Sequence, residues 1–414
     1  MGLRLSVTAC LTICAALPAA AQGGPITIFA GRVLDGKGGN VRNATVVVDR
    51  GRILRIEPRR VESPTFSFPS GTLMPGLIDA HVHLTAHLTA DGRMHVPGDG
   101  ETPEQATLAA AANAHRTLMA GFTTVASIGA AGDLPLRAAI ARGDLPGPRV
   151  LTSLEPIADP SLSPDQLKDQ VRERVDRGAD LIKVIASKSI RDGGTPTLSQ
   201  AQLDAVCGEA RAASVPVIVH AHDTASVRAA ASAGCGQITH GLFATDGELD
   251  LLAERGAYFD PQCSLVFRNY LGNRRWFLGL GNITEEGFAA MERAAPLAIA
   301  VTRNATARSG LKVVYGTDAV AGAHGKNADD LVCRVRQAGQ RPMDALVDAT
   351  STNAEALGIA RETGSVAPGL AADLIVVAGN PLDDIDAMKR VVFVMRSGLV
   401  YRHDPTLAGN PSLQ

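Results

Sequence analysis

Short apolar runs alternate with longer, alanine-rich stretches through the middle of the chain. Eight of these runs can be distinguished, and they read LIDAHVH, TTVASI, RVLTS, LIKVIA, VPVIVHAH, QITHG, YFDPQ and VVYGTDA. Near-continuous apolar strands followed by helices are typical of a parallel sheet that helices cover on both faces. Eight repeats over about 280 residues match a closed barrel of eight strands and eight helices. The pattern therefore predicts an α/β fold built on a TIM-like (β/α)8 barrel.

Both ends of the chain show a different pattern, in which apolar and polar residues alternate between glycine-containing turns. Residues 26–36, 44–56 and 71–76 show it near one end, and residues 373–381 and 391–402 show it near the other. Alternation with a period of two predicts antiparallel strands. We expect the two ends to pair with each other as one small composite β-sandwich. The predicted division is residues 22–75 for the first part of the sandwich, 76–358 for the barrel, and 359–414 for the second part and a C-terminal tail.

Residues 1–21 predict a targeting segment. They read MGLRLSVTACLTICAALPAAA, with a positive charge at Arg4, an apolar run from Leu5 to about Leu17, and small residues just before Gln22. This is the pattern of a cleaved signal peptide. A retained N-terminal anchor is the alternative, but the apolar run is short for a membrane span. We therefore expect a secreted or periplasmic protein without a stable membrane anchor after cleavage.

Cysteines give little further information about the fold. Two of the six leave with the signal, and the other four lie far apart with no C-x-x-C pair: Cys207, Cys235, Cys263 and Cys333. A chain of this length needs no disulfide to fold, so buried and unpaired cysteines are the favoured interpretation. One disulfide remains open, but its partners cannot be deduced.

Composition excludes several functional classes. The 414 residues include 40 Lys+Arg and 42 Asp+Glu, which gives a net charge of −2. Without a run of like charges, there is no electrostatic footprint for a nucleic-acid backbone. With 45% hydrophobic residues and with glycine and proline spread along the chain, disordered and fibrous structures are excluded as well. The chemistry must be sought in individual polar residues at the ends of the apolar runs.

The pair His81 and His83 closes the first apolar run. Residues two apart on a strand point to the same face, so both imidazoles would face the barrel axis at the end where barrel active sites lie. Two neutral imidazoles at this spacing can bind one divalent metal ion. Since a lone His-x-His pair also occurs by chance, the interpretation needs further ligands at other strand ends.

Further polar residues occupy the corresponding positions of later runs. His220 closes the fifth run, His240 lies in the sixth, and Asp318 lies in the eighth. Lys183 lies inside the fourth run, where a buried cation is unfavourable unless it is neutralised or used. Taken alone, Lys183 is best interpreted as a strand-end lysine paired with a carboxylate.

Together these residues resemble the amidohydrolase superfamily of metal-dependent hydrolases. The similarity covers essentially the whole chain after the leader, and its motifs are PGLIDAHVHL, AGFTTVASIG, GADLIKV, VHAH, ITHG, YGTDA and the closing stretch 349–385. GADLIKV, VHAH and HGKNADDL are most similar to the prolidase-like and imidazolonepropionase-like branch. That branch includes exported dipeptidases, N-acyl amino acid hydrolases and enzymes that cleave the amide of ochratoxin.

The resemblance implies a binuclear metal centre. In members with a lysine on the fourth strand, carbon dioxide carboxylates that lysine, and the resulting carbamate bridges the two metals. Carried over by position, one metal would be bound by His81, His83 and Asp318, the other by His220 and His240, with N6-carboxylysine at Lys183 between them. Zinc is the expected ion, although such ligands also accept manganese, cobalt and iron.

The implied chemistry is amide hydrolysis, with a dipeptide or an N-acyl amino acid as substrate. A water that bridges two divalent cations loses its proton near neutral pH. Asp318 would act as general acid and base, and His240 is the second catalytic candidate. The same site could instead hydrolyse lactones, carbamates, cyclic amides or phosphotriesters. A binding protein without catalysis is disfavoured because every expected ligand position is filled.

Substrate contacts and assembly are less well defined by the sequence. The segment after the seventh run, VFRNYLGNRRW, predicts a clamp for a substrate carboxylate, since guanidinium groups match carboxylates bidentately. Its candidates are Arg268, Tyr270, Arg274 and Arg275, and weaker ones elsewhere are His222, His324 and Asn327. His87, His95 and His115 are interpreted as structural. The superfamily includes homo-oligomers from dimers to octamers, so a homo-oligomer is compatible with the resemblance.

Overall fold

The structure is a computed structural model that describes residues 24–404. The predicted signal peptide at 1–21, with Cys10 and Cys14, lies outside the described residues, as does the tail at 405–414. Within 24–404 the chain forms fifteen strands: β1 (Ile26–Leu34), β2 (Asn40–Asp49), β3 (Arg52–Glu57), β4 (Phe66–Pro75), β5 (Leu77–Val82), β6 (Phe122–Ser127), β7 (Arg149–Thr152), β8 (Ile182–Ile185), β9 (Val217–Ala221), β10 (Gln237–His240), β11 (Tyr258–Asp260), β12 (Lys312–Val313), β13 (Leu374–Ala378), β14 (Val391–Arg396) and β15 (Leu399–His403).

Twelve α-helices separate or follow the strands in the same part of the chain. They are α1 (Pro103–Met119), α2 (Asp133–Arg142), α3 (Pro164–Asp176), α4 (Gln200–Ala212), α5 (Thr224–Ser232), α6 (Asp246–Glu254), α7 (Leu265–Gly272), α8 (Arg274–Phe277), α9 (Glu285–Thr306), α10 (Ala328–Arg336), α11 (Pro342–Val347) and α12 (Asn353–Ala356). Several begin at a capping box, in which Ser or Thr and a Gln three residues later satisfy two free backbone donors. Thr102 starts α1 in this way, and Ser163 and Ser199 start α3 and α4.

The eight predicted apolar runs form β5 to β12 in chain order. These strands pair in parallel as one sheet of β5, β6 and β7 and another of β8 to β12. Isolated parallel bridges join the two sheets at both seams, between Val82 and Ala319 and between Ile157 and Val184. The strands thus surround a common axis as the TIM-like barrel that the sequence predicts. Each seam has one isolated bridge, whereas neighbouring strands within each sheet form longer ladders.

Strands from both ends of the chain meet in one seven-stranded sheet, in the order β15-β14-β13-β4-β1-β2-β3. The junction is β4, which pairs in parallel with β1 and antiparallel with β13. The hydrophobic core of this seven-stranded sheet includes Ile28, Val46, Phe68, Val376 and Phe393, all almost fully buried. The pairing of the two ends thus agrees with the expected composite domain, while the domain boundaries at 75/76 and 358/359 stay a prediction.

All four cysteines of the described part are paired. Cys207 on α4 bonds Cys235 just after α5, and Cys263 just after β11 bonds Cys333 on α10. The favoured interpretation of unpaired cysteines was wrong, because packing of neighbouring elements brings the Cα atoms to 5.1 and 6.0 Å, which spacing along the chain does not reveal. Structural disulfides persist in oxidising compartments, and this chain therefore fits such a location.

None of the helices within residues 24–404 combines the length and the apolar character that crossing a bilayer requires.

Candidate active site

A cavity of about 870 Å³ opens at the carboxyl ends of the barrel strands. The cavity is lined by residues that were predicted as candidates from the sequence, and these come from five different strands or the loops that follow them. They are His81, His83, Lys183, His220, His222, His240 and Asp318, and Tyr270 lines it as well. Because parallel strands end at one face of a barrel, residues distant along the chain share a single site.

One group of candidate ligands consists of His81, His83 and Asp318, whose donor atoms all lie within 4.8 Å of one another. The Oδ1 atom of Asp318 is 2.9 Å from His83 Nε2 and 3.5 Å from His81 Nε2. Asp318 reaches this position in the left-handed backbone region, with φ of 50°. Its backbone N–H donates to His81 O at 2.8 Å, which stabilises an otherwise costly conformation.

A second group consists of His220, His222 and His240, again with donor atoms within 4.8 Å of one another. The ring of His240 lies 4.4 Å from that of His220 and 4.7 Å from that of His222, measured between centroids. His240 also has a left-handed backbone, with φ of 70°. His222, a weak substrate-binding candidate in the sequence, thus lies close enough to offer a further imidazole to this group.

Burial keeps these imidazoles neutral. Desolvation is the main reason that the pKa values of His81, His220 and His240 lie well below the ordinary value, and it lowers the pKa of His222 to about 4. The neutral imidazole is the form that binds a metal ion.

Lys183 is buried in the same cavity, with 3% of its surface exposed. Its Nζ atom has no hydrogen-bond partner among the described residues. Desolvation lowers its pKa from 10.5 to about 8, although Asp318 and Asp260 oppose the shift. An unpartnered buried amine is costly as it stands, and its conversion to a carbamate that binds cations would remove the cost. The donor set therefore fits a binuclear centre bridged by a carboxylated lysine.

Two residues of the seventh strand end support His81. Gln262 Nε2 lies 2.8 Å from His81 Nδ1 and donates to Asp260 Oδ2 at 3.0 Å. Asp260 is fully buried, and desolvation raises its pKa to about 6. A Cβ atom at Gly316 would come within 2.2 Å of Asp260 Oδ2, so only glycine allows this close approach. Sequence reasoning missed both supporting residues, although YFDPQ places them at a strand end.

A guanidinium lines the cavity, but it comes from a different loop than predicted. Arg191 lies in a short 3-10 segment after β8, and its Nε donates to Asn282 Oδ1 at 3.1 Å. Its guanidinium carbon is 5.4 Å from the ring centroid of Tyr270, a buried residue of α7. Arginine and tyrosine therefore face the cavity side by side.

The other predicted substrate contacts are not brought to the cavity. The side chain of Arg268 is 60% exposed and lies 3.9 Å from Asp329, and Arg274 pairs with Glu285 and Glu292. His324 Nε2 is 3.3 Å from Ala86 O, and Asn327 donates to Asp79 Oδ2 at 2.7 Å. The reason is that α7 presents Arg268 to solvent and α8 presents Arg274 to the acidic residues of α9, while the side chain of Asn327 joins β5 to the segment after β12. Arg275 does not line the cavity either.

Comparisons with known proteins agree with this geometry. The model of the amidohydrolase family matches residues 72–400. Ochratoxinase from Aspergillus niger is 25% identical over 425 aligned residues, which cover 91% of this chain and 86% of that protein. The crystal structure of a Xaa-Pro dipeptidase with bound methionine has a TM-score of 0.82 and 29% identity over 91% of this chain and 100% of that one. A prolidase complexed with N-methylphosphonate-L-proline has a TM-score of 0.80 and 25% identity, over 92% and 100%.

Proposed function

The chain belongs to the amidohydrolase family and is a hydrolytic enzyme, and on that premise we propose that it cleaves the amide bond of a dipeptide or an N-acyl amino acid at a binuclear metal centre. The observation that carries the proposal is the meeting of two ligand groups and the unpartnered amine of Lys183 in one cavity. The names of the relatives, ochratoxinase, Xaa-Pro dipeptidase and prolidase, support the choice of an amide bond.

The metals would be held by the residues that the cavity brings together. We assign His81, His83 and Asp318 to one ion, His220 and His240 to the other, and carboxylated Lys183 to both. Zinc is the proposed ion because neutral imidazole and carboxylate ligands suit it. When bound, such ions acidify water and polarise the carbonyl group of the substrate.

The protein's own contribution is proton transfer. Desolvation alone would raise the pKa of Asp318, but His81, His83 and Lys183 hold it below its usual range. Asp318 is therefore ionised and able to accept a proton and return it to the leaving amine. His240, which shares the cavity in its neutral form, is the second residue that we place at the reacting atoms.

Recognition of a carboxylate is assigned to Arg191 and Tyr270. The guanidinium fork matches a carboxylate bidentately, and the phenol hydroxyl is a further donor. Both side chains line the cavity that holds the candidate ligands. The two crystallised relatives were solved with methionine and with N-methylphosphonate-L-proline, and both molecules carry a carboxylate. The proposed substrates are therefore amides whose amine side is an amino acid with a free carboxyl group.

Export is the remaining part of the proposal. Residues 1–21 would direct secretion and be removed, leaving a secreted or periplasmic enzyme without a membrane anchor. The two disulfides support this location, because a reducing cytosol would not maintain them. Sequencing the N-terminus of the protein recovered from outside the cytoplasm tests it, and an intact leader would contradict it.

The test of the activity uses the chain from Gln22 onward, loaded with zinc and bicarbonate. It is incubated with dipeptides and N-acyl amino acids, ochratoxin included, and release of free amine is measured. We expect Lys183→Ala and Asp318→Asn to reduce turnover by about 10³-fold or more, because each removes a group on which the centre depends. Lys168→Ala, a change of the same kind on the outer helix α3, should leave turnover unchanged.

Two outcomes would contradict the proposal. Wild-type rates in the Lys183→Ala variant would exclude the carboxylated lysine from catalysis. Absence of turnover across the panel, in protein shown to contain its metals, would exclude these amides and direct the search to lactones, carbamates and cyclic amides.

A further inference from the structure

A second group of metal-binding side chains lies outside the centre described above. A small hairpin precedes α1, in which Leu88 and Met94 bridge and His95 N donates to His87 O at 2.9 Å. This pairing stacks the rings of His87 and His95, with centroids 4.6 Å apart. Glu101 completes the group, and the three donor atoms lie within 4.8 Å of one another.

The hydrogen bonds of His87 indicate that a positive charge is required here. Its Nδ1 lies 2.7 Å from Thr85 O, and because a carbonyl oxygen can only accept, Nδ1 carries a proton. In the neutral ring Nε2 then presents a lone pair, which faces Glu101 Oε2 at 2.6 Å. The lone pairs of His87 Nε2 and Glu101 Oε2 repel each other at this distance unless a proton lies between the two atoms or both atoms bind one cation. His87 is only 3% exposed, so this nitrogen has little access to bulk water.

We propose that His87, His95 and Glu101 bind a further divalent cation, for which zinc is the best match. Two imidazole nitrogens and one carboxylate form a known type of zinc ligand set, and the backbone bond at Nδ1 is the usual way in which a ligating histidine is oriented. Tetrahedral zinc with bonds of about 2.0–2.1 Å separates its ligand atoms by about 3.3 Å. His95 Nδ1 and Glu101 Oε2 are already 3.3 Å apart, whereas His87 Nε2 and Glu101 Oε2, now 2.6 Å apart, would move to about the same separation when the ion binds.

The fourth position of this site is open to solvent. The side chains of His95 and Glu101 are 24% and 18% exposed, so a water molecule can reach an ion bound between them. Asp99 Oδ2 lies 2.8 Å from His95 Nδ1, so without an ion this nitrogen donates to Asp99, and zinc would replace that proton. The carboxylate of Asp99 would keep the hydrogen bonds that it accepts from the backbone of Val96 and Glu101. Asp99 therefore shapes the loop that presents Glu101.

The consequence concerns the mouth of the catalytic cavity. Met94, His95 and Pro97 of the hairpin line that cavity, and Glu101 immediately precedes Thr102, the cap of α1. An ion bound at this site would fasten the hairpin to the start of α1 and so fix one wall of the entrance. The site is structural, and it does not depend on which bond the enzyme hydrolyses.

The experiment counts zinc per chain after chelation, reloading and dialysis. The proteins compared are the wild type, His95→Ala, Glu101→Gln and the control His115→Ala, which removes an exposed histidine of α1. We expect His95→Ala and Glu101→Gln to hold one zinc fewer than the wild type, and His115→Ala to hold as many. Because the result is a difference, it is independent of how many ions the catalytic centre holds. Equal zinc content in all four proteins would overturn the proposal.

A second measurement follows the hairpin itself. Arg93 lies between the two histidines, so trypsin cleavage after Arg93 reports on the mobility of the hairpin. Zinc should slow this cleavage at least several-fold in the wild type and in His115→Ala, but not in the folded Glu101→Gln variant. Cleavage that is slowed equally in Glu101→Gln would assign the effect to the catalytic metals and overturn the structural role.

Discussion

At the scale of single residues, Arg191 lines the cavity and is the proposed contact for the carboxylate of the substrate. Asn282 fixes its Nε, and the rest of the guanidinium group is free to face a ligand beside Tyr270. We expect Arg191→Lys to raise KM for substrates with a free carboxylate by about 10- to 100-fold, because a bidentate charge-assisted pair is worth about 1.5–3 kcal/mol. The kcat should change little, since the ligands and Asp318 remain. Steady-state kinetics with acid and amidated forms of one substrate measures this.

The matched control is Arg275→Lys, a change of the same kind at an exposed position away from the cavity. An equal increase of KM for the amidated substrate would show that Arg191 shapes the cavity without binding a carboxylate.

Asp348 makes the stability of the fold depend on pH. It is buried near Arg334, with 3.6 Å between Asp348 Oδ2 and Arg334 Nη1, and Gln340 donates to it at 2.7 Å. Desolvation nonetheless raises its pKa from 3.8 to about 7. A carboxyl group with a raised pKa is protonated in the folded state where the unfolded chain is already ionised, so the free energy of unfolding falls as pH rises from about 4 to about 7.

Replacement by asparagine should remove this contribution. Between about pH 5 and pH 7, the unfolding free energy of Asp348→Asn should fall less steeply than that of the wild type, by up to about 1.4 kcal/mol per pH unit. Urea unfolding at several pH values measures both slopes, and parallel slopes would contradict the assignment.

Some residues of the candidate site could be predicted from the sequence, and others could not. The meeting of His81, His83, His220, His240 and Asp318 in one cavity was predictable, since these residues lie at the ends of four apolar runs and parallel barrel strands end at one face. Arg191 was not, because the course of a loop decides whether its side chain turns inward. His87 and His95 were interpreted as structural, although the residues between them include a signal for their pairing: Asp91 and Gly92 are typical hairpin-turn residues, and Gly92 has a φ of 78°.

At the scale of elements, one disulfide joins two outer helical segments, and the other lies next to a residue of the candidate site. Cys207 and Cys235 join α4 to the end of α5, on the outer layer. Cys263 directly follows Gln262, which contacts His81, and its partner Cys333 lies on α10. Helices and strands could be predicted from periodicity, but contacts between them could not, and the cysteine pairing is one such contact.

Removing each disulfide should therefore have different effects on activity. The closed loops span 28 and 70 residues, for which chain entropy gives a loss of about 3.5 and about 4.5 kcal/mol of stability. We expect Cys207→Ala/Cys235→Ala to lower stability with little change in kcat, and Cys263→Ala/Cys333→Ala to lower both. Chemical unfolding and turnover under conditions where both variants are folded test this. A fall of kcat in the first variant alone would contradict it.

At the scale of the whole molecule, the proposed metal centre would join strands of the two barrel sheets. The candidate ligands come from both sheets, whose seams are closed by isolated bridges and a few backbone hydrogen bonds, among them Ala80 N–H to Tyr315 O and Ile185 N–H to Ile157 O. Ions bound in the cavity would therefore stabilise the closure of the barrel as well as supply the chemistry, since a ligand that binds only the folded state raises its stability. The sequence predicted the number of barrel strands, whereas their division into two sheets depends on contacts between strands that local pattern does not define.

Chelation should accordingly lower the thermal midpoint by several degrees and abolish turnover. Zinc together with bicarbonate should restore both in the wild type, because Lys183 must be carboxylated to bind. In Lys183→Ala, bicarbonate should add nothing to the effect of zinc. Calorimetry with and without bicarbonate distinguishes the two proteins, and full recovery of the wild type in carbonate-free buffer would contradict the bridging role.

The seven-stranded sheet has a consequence for the time course of biosynthesis. One edge of β4 pairs with β1, which is synthesised before it. The other edge pairs with β13, which is synthesised much later, and this pairing places Pro75 opposite Leu374. At a synthesis rate of about 5–20 residues per second, roughly 15–60 s pass between the appearance of these two strands. During that interval an apolar strand edge is available for pairing with other chains. The end sheet can therefore be completed only after nearly the whole chain has been made.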